Sequence, residues 1–286
     1  MITIKSLSKT SFDDIFIAFQ EAFKDYEMQL NKIELQTMLN RRGFEPDLSF
    51  GAFQKNRLVA FTFNGIGRYQ GLKTAYDTGT GTLKEYRGQG LATRVFEFSL
   101  PILREAKVQQ YLLEVLQHNK KAISVYEKLG FKISREFNYF VQDQDKVNLK
   151  LKPLDPSYRI HPVDLDGEEA IAGFWDFTPS WQNDFNAINR KAGDFKMVGT
   201  YYKSNLVGYC ILEILSGDLT QIAVDKPYRS LGIGSHMLRE IIQYNKHPSI
   251  KVINTEIECK SITQFLESRS VPLRGKQYEM VLRISK

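Results

Sequence analysis

Long apolar runs are missing from this chain of 286 residues. No stretch approaches the ~20 apolar residues that span a bilayer, so no membrane partner is expected. The N-terminus, MITIKSLSKTSF, has no long apolar stretch ahead of a small-residue cleavage site. It reads as a first strand, not a secretory signal. Cysteine is scarce: Cys210 and Cys259 form neither a disulfide framework nor a zinc set. The default is reduced thiols in a cytoplasm. The four histidines, His118, His161, His236 and His247, have no metal-ligand spacing, and no metal is expected. Basic residues are scattered, with short pairs such as Arg41-Arg42 and Lys120-Lys121. No basic run with interleaved aromatics suggests a nucleic-acid groove. Gly275-Lys276 is followed by Gln277, so there is no Walker A loop, and Gly79-Thr80-Gly81 lacks the third glycine of a dinucleotide fingerprint.

What is present is ordinary globular composition, 42% hydrophobic, 25% charged and 12% aromatic. The length is twice 143, which invites a search for a repeat. Ile2 to Leu7 alternates as a strand. Phe12 to Tyr26 carries a helical stripe, and Asn31 to Leu39 reads as a second helix. Strands follow between Leu48 and Leu83, then a helix from Gly90 to Ala106 that Pro101 should bend. A buried strand covers Gln110 to Gln117, and Lys120 to Leu129 is a short helix capped by Gly130. Strands are expected at Phe131 to Val141 and Val147 to Leu151. Lys152 to Tyr158, with two prolines, reads as a linker. The order then repeats: a strand at 159–163, helices at 168–177 and 181–191, three strands within 195–224, and a helix at 232–245. A strand at 250–256, a helix at 261–267 and a strand near 277–284 follow. Two α/β domains are therefore expected, 1–152 and 153–286. The net charge of +6 lies wholly in the first, with 23 basic against 17 acidic residues, the second having 16 of each.

The best-matched pieces are Tyr86-Arg87-Gly88-Gln89-Gly90-Leu91-Ala92 and Tyr228-Arg229-Ser230-Leu231-Gly232-Ile233-Gly234. Their arginines are 142 residues apart. Each segment follows a predicted strand and opens a predicted helix. The first N–H groups of a helix lack internal partners, and the helix dipole adds partial positive charge. Glycines let an anion approach the backbone, and the arginine adds charge beside it.

Arg-x-x-Gly-x-Gly/Ala at such a junction resembles the pyrophosphate loop of the GCN5-related N-acetyltransferase (GNAT) superfamily. The first half continues the resemblance through Leu112-Leu113-Glu114-Val115, then Asn119, Ala122, Tyr126 and Leu129-Gly130-Phe131. The resemblance implies two tandem domains of the α+β type, each a mixed, mostly antiparallel sheet flanked by helices. It implies acetyl-CoA (coenzyme A) in a V-shaped opening between the strand ending near Leu83 and the strand at 112–116. Gly88, Gln89, Gly90, Leu91 and Ala92, with Arg87, would hold the pyrophosphate. Thr82 and Leu83 would offer main-chain hydrogen bonds, and Asn119 would reach the cofactor arm or cap the next helix. In the second half Val224, Arg229, Ser230, Leu231, Gly232, Ile233 and Gly234 are the counterparts.

Tyr126 is the candidate general acid, since a phenol can give a proton to a departing thiolate with modest pKa mismatch. The acceptor amine must be neutral; with a pKa near 10 only about one part in a thousand is neutral at pH 7, equivalent to about 4 kcal/mol. Asp77 and Glu114 are the candidate bases, and the sequence does not choose between them. In the second half Cys259 falls where Asn119 was, Leu266 where Tyr126 was and Ser270 where Gly130 was, so the helix is expected to lack its left-handed cap. The first half is therefore the expected catalyst of acetyl transfer to a small-molecule or peptide amine. The rivals are an active second half, as in mycothiol synthases, and a coenzyme-A-binding sensor without turnover. Trp175, Phe177, Trp181 and Phe185 read as core or as an acceptor wall. A monomer is expected, the tandem halves serving as a pseudo-dimer.

Overall fold

The computed structural model describes residues 1–25, 29–165, 169 and 171–284. Two compact units form. Unit 1 is Met1–Ser134 with Tyr278–Lys286, and unit 2 is Arg135–Gln277.

Unit 1 opens with β1 (Ile2–Ser6), α1 (Phe12–Phe23) and α2 (Lys32–Arg41). Ser11 caps α1, its hydroxyl accepting from Asp14 N–H, and the buried Ile15, Ala18, Phe19 and Ala22 recur at helical spacing. Asn31 and Glu34 close a capping box on α2. The end of the α1 stripe at Tyr26 lies outside the described residues. Then come β2 (Phe50–Gln54), β3 (Arg57–Tyr69), β4 (Leu72–Thr82), α3 (Leu91–Glu105), β5 (Gln110–Leu116) and α4 (Lys120–Lys128). α3 runs unbroken through Pro101. β6 (Lys132–Asp143) begins in unit 1 and passes into unit 2.

Unit 2 continues with β7 (Tyr158–Pro162), α5 (Phe185–Arg190), β8 (Phe195–Tyr202), β9 (Asn205–Glu213) and β10 (Asp218–Val224). It closes with α6 (Ile233–Ile241), β11 (Ser249–Glu256), α7 (Lys260–Ser268) and the start of β12 (Leu273–Arg283). Two expected helices shrink. The first, at 168–177, starts outside the described residues and leaves only a 3-10 turn at Ala172–Phe174. The second reduces to α5, because Asp184 is extended and caps the helix there, its carboxylate accepting from Ala187 N–H. The strand expected at 147–151 does not form; Val147 and Leu149 instead pack into the unit 2 core.

The strand order is β1-β2-β3-β4-β5-β12 in unit 1 and β6-β11-β10-β9-β8-β7 in unit 2. β1–β2, β2–β3, β3–β4, β6–β11, β7–β8, β8–β9 and β9–β10 pair antiparallel; β4–β5 and β10–β11 are parallel and are joined through α3 and α6 as helical crossovers. The last strand of each unit is exchanged. Residues 135–143, which the sequence division at 152 assigns to the first domain, pair with β11 in unit 2. Residues 278–284, from the far end of the chain, lie beside β5 in unit 1, with Ile284 N–H donating to Gln109 O at 3.0 Å. Compactness follows this pairing, whereas the sequence division follows the linker. Met280, fully buried, packs with Tyr111, Phe96 and Phe131. A fragment ending at residue 152 lacks this strand and exposes that cluster. We expect it to melt without a cooperative transition in circular dichroism. A sharp transition like that of the full chain would contradict the strand's place in unit 1.

Candidate active site

β4 and β5 pair over three positions only, Thr74 with Gln110, Ala75 with Tyr111 and Tyr76 with Leu112. β4 runs on to Thr82 and β5 to Leu116, so the two part into a V-shaped opening. Asp77 is the first residue beyond the last pair. A bulge against Asn64 of β3 turns the chain there. Its carboxylate accepts from Gly79 N–H at 2.9 Å, Thr80 hydroxyl at 2.8 Å and Tyr126 hydroxyl at 3.3 Å. Burial pushes the Asp77 carboxyl up to about 6, against the pull of the Thr80, Gly79 and Tyr126 hydrogen bonds and the Arg42 charge. That value suits a base near neutral pH.

Tyr126 is held by α4. Asn119 caps that helix, its Oδ1 accepting from Ala122 N–H at 3.2 Å. Gly130, at φ +91°, closes it, and Phe131 N–H donates to Tyr126 O at 3.0 Å. The Phe131 ring meets the Tyr126 ring edge-on at 5.7 Å. Strand alternation sets the two candidate bases on opposite faces. Asp77 follows Ala75, and Tyr111, Leu113 and Val115 line the same cluster that packs Tyr126. Glu114 faces away and hydrogen-bonds Tyr76, whose phenol is raised well above its usual pKa by burial and then by the Glu114 charge.

The loop into α3 is open. Gly88 and Gly90 take left-handed φ values of +78° and +69°, and a Cβ on either would meet nothing within 4 Å. No side chain caps α3, so its first N–H groups are available for an anion. Leu91 is buried beneath the loop, Ala92 follows it in the first turn, and the Gln89 amide turns back to Glu85 O. Arg87 departs from the expectation of added charge beside the anion. Its guanidinium donates to Thr82 O and Ala22 O, bracing the end of β4 against α1. Leu83 N–H is spent on Val59 O, which corrects its place among the main-chain donors. Successive N–H groups of a strand alternate sides, so Thr82 presents its own to the opening.

Unit 2 repeats this frame. β10 and β11 pair only at Asp218 and Lys251 before parting. Asp225 N–H bonds Val207 O, which by alternation turns Val224 N–H to the opening. Ser230 (φ +64°) and Gly232 (φ +87°) keep the left-handed loop, leading through Leu231 into Ile233 and Gly234 of an uncapped α6. A side chain at Ser230 thus accepts a conformation that Gly88 takes freely. A cavity of about 460 Å³ fills the opening, lined by Trp175, Tyr209, Gln221, Cys259 and Phe265 among others. Trp175 Nε1 donates to the Tyr209 hydroxyl, which donates to Gln221 Oε1 at 2.6 Å. Trp181 and Phe185 are core. Arg229 again braces its strand, donating to Val224 O and Phe174 O and gripping both oxygens of Asp176 at 2.9 Å. Burial opposes charge on Asp176, but the Arg229 and Ser261 hydrogen bonds hold its carboxyl below the usual value.

The counterpart of Tyr126 differs. Val271 N–H bonds Leu266 O as Phe131 N–H bonds Tyr126 O, so Leu266, fully buried, occupies the tyrosine's place. The left-handed cap is not lost as expected: Ser270 itself adopts φ +61°, and its N–H bonds Glu267 O. Among the described residues no group of three or more His, Cys, Asp or Glu could hold a metal ion. No helix there is long and apolar enough to cross a membrane.

The sequence profile of the acetyltransferase (GNAT) family matches residues 12–131 and 164–260. The chain belongs to the acetyltransferase (GNAT) family. This acetyltransferase is 31% identical over 110 residues to N-alpha-acetyltransferase 30 of Schizosaccharomyces pombe, 38% of this chain and 73% of that protein. It is 29% identical over 119 residues to N-alpha-acetyltransferase MAK3 of Arabidopsis thaliana, 41% of this chain and 62% of that one. A solved tandem GNAT protein from the clavulanic acid biosynthesis pathway covers 100% of this chain and is itself covered over 99%, with TM-score 0.73 and 10% identity, a likeness of fold. The enzyme is an acyltransferase, and the family uses acetyl-CoA. The second profile match ends at 260, where α7 begins and the Tyr126 counterpart is lost.

The burial of Asp77 has a stability consequence. Its folded pKa is raised from 3.8 to about 6, so its contribution is full below about pH 4 and is lost as pH rises through about 6, at a cost of about 3 kcal/mol. Asp77→Asn removes that ionisation. In urea unfolding the variant should gain stability relative to wild type between pH 4 and pH 8, by about 1–3 kcal/mol. A difference that stays constant over this range would contradict the buried charge.

Proposed function

We propose that the protein transfers an acetyl group to the α-amine of a peptide or protein N-terminus, with unit 1 as the active half. The observation that carries this reading is the Tyr126–Asp77 pair at the point where β4 and β5 part. The open glycine cradle fits coenzyme A, since a Cβ at Gly88 or Gly90 would occupy free space beside uncapped helix N–H groups. Gly88 through Ala92 would hold the pyrophosphate and Thr82 N–H the pantetheine arm; Asn119 Oδ1 is already engaged as a cap. In unit 2 the loop from Arg229 to Gly234, with Val224 N–H, is assigned the same role.

Acetyl-CoA supplies a thioester whose sulfur needs a proton as it departs. Tyr126 Oη holds that proton, and Asp77 Oδ2 takes one from the amine. The hydrogen bond between them lets the proton return to the phenolate and restore both groups. Asp77 is the favoured base over Glu114 because it shares Tyr126's face. The pKa of about 6 also selects an acceptor. An α-amine near 7.7–8.0 lies about two units away, whereas a lysine near 10.4 lies more than four away, a difference of about 3 kcal/mol in proton-transfer driving force. The names of the relatives, N-alpha-acetyltransferases, agree with the α-amine. Two unbridged cysteines fit the reducing cytoplasm to which we assign the protein.

The unit 2 cavity favours a second, compatible reading: unit 2 binds coenzyme A without turnover, Leu266 being unable to donate a proton. Both tryptophans of the chain lie in unit 2, and only Trp175 lines that cavity. Coenzyme A should therefore change tryptophan fluorescence, and Trp175→Phe should remove most of the change. An unaltered signal on saturation would dismiss binding in unit 2.

The main reading is tested by thiol release from acetyl-CoA. Peptides with a free α-amine should react, and Nα-blocked peptides containing lysine should not. Tyr126→Phe should lower kcat by about 10²–10⁴-fold with unchanged coenzyme A affinity. Wild-type turnover in that variant would move the chemistry away from unit 1.

A further inference from the structure

Residues 278–284 follow the whole of unit 2 in sequence, yet they wall the site in unit 1. They are anchored at both ends. Ser134 donates to the Glu279 carboxylate at 2.7 Å and to Glu279 O at 3.2 Å. At the other end Ile284 N–H bonds Gln109 O, and Arg283 donates to Gln110 Oε1 at 2.5 Å. Gln110 in turn donates to Thr74 Oγ1 at 2.9 Å, at the first β4–β5 pair. Between these anchors Met280 is fully buried, and Leu282 packs into the cluster that also receives Tyr126 and Leu129. Leu282 Cδ1 lies 3.4 Å from where a Cβ on Gly130 would sit. Gly130 is the left-handed residue that ends α4, and the bond from Phe131 N–H to Tyr126 O spans it. A side chain set beside this turn, and packed in the same cluster as Tyr126 and Leu129, limits how far the turn, and the phenol it carries, can move away from Asp77.

We propose that Leu282 is a positioning residue for acetyl transfer, bearing on the Gly130 turn so that the Tyr126 hydroxyl stays within reach of Asp77. The proposal rests on unit 1 being the active half. Misplacement of a reacting group by about 1 Å can cost about 10²-fold in rate, so a packing contact outside the opening can act on kcat. A void alone would lower stability without changing the ionisation of Asp77. The Tyr126 hydrogen bond stabilises the Asp77 carboxylate, so loosening it raises the carboxyl further. The other ionisable groups around Asp77 are Arg42 beyond α2, Tyr76 on β4 and Tyr111 on β5; Glu114, on the opposite face of β5, bears on Tyr76 instead.

The test compares full-length wild type, Leu282→Ala, Leu282→Met, Tyr126→Phe and Leu103→Ala, the last a buried residue near the far end of α3. Thermal stability, kcat, KM for acetyl-CoA and the pH dependence of kcat/KM are measured at a temperature where all are folded. Leu282→Ala should lower kcat by about 10–100-fold, leave KM for acetyl-CoA within about twofold, and move the acid limb to higher pH, as Tyr126→Phe does. Leu282→Met should restore both, and Leu103→Ala should lose stability with an unmoved acid limb. Should Leu282→Ala not fold, Leu282→Val carries the same comparison with a smaller void. A stability loss with wild-type kcat and acid limb overturns the role of Leu282 while leaving Tyr126 in place. Wild-type turnover in Tyr126→Phe overturns the unit 1 reading itself, and the role of Leu282 with it.

Discussion

Two parallel strands that pair at one end and part at the other set the conditions for everything else in each unit. β4 and β5 share three paired positions, and β10 and β11 share one. A parallel pair needs a crossover, and the crossover helix starts where its first strand ends. The free edge of that strand and the free N–H groups of that helix therefore open onto the same space. The left-handed turns at Gly88, Gly90, Ser230 and Gly232 let the chain make this transition without a side chain in the way at the critical point. The open helix start is a consequence of chain direction, and the loop arginines fix the strand end: Arg87 and Arg229 reach the carbonyls of Thr82 and Val224 respectively.

On this shared frame the two units differ at the helix position that Tyr126 holds in unit 1. α4 and α7 end with the same backbone bond, one spanning from Tyr126, the other from Leu266. In unit 1 the phenol meets a carboxylate that burial has brought close to neutral pH. In unit 2 the corresponding side chain is apolar and buried, while Asp176 is committed to Arg229 and Ser261. Unit 1 thus carries a hydrogen-bonded phenol–carboxyl pair at a cost to its stability above pH 6, and unit 2 carries a lined cavity without one. A buried carboxyl left uncompensated by a full salt bridge is what makes Asp77 both a poor contributor to folding and a suitable base.

Much of this was legible in the chain itself. The 142-residue spacing of Arg87 and Arg229, the strand-to-helix context of both loops and the Asn119–Tyr126–Gly130 spacing are local patterns, and local patterns follow from backbone geometry that neighbouring residues set. The helix expected at 181–191 shortened for a local reason too: the Asp184 cap sets its start at Phe185 against the apolar spacing. The αL cap at Ser270 formed without glycine, closed by the bonds from Ser270 N–H to Glu267 O and from Val271 N–H to Leu266 O. The bonds of Leu83 N–H and Arg87 within unit 1, and the facing of Glu114 away from Asp77, were not legible, since which way a strand N–H or a side chain faces depends on register, and a bulge between Phe63 and Asn64 sets that register from another strand.

The sequence by itself determined the duplication, the glycine-containing loops at the strand-to-helix junctions, the GNAT resemblance and the asymmetry between Tyr126 and Leu266, because each is written in residues close together along the chain. Only the tertiary structure decided that Asp77, not Glu114, shares a face with Tyr126, and that residues 135–143 and 278–284 complete units other than those the linker suggests. Strand pairing and burial join residues far apart in sequence: Asp77 and Tyr126 are 49 apart, and Arg283 and Gln110 are 173 apart. Hydrophobic spacing shows that such a residue will be buried, but not against which partner, since the free energy of burial depends on area and carries no address.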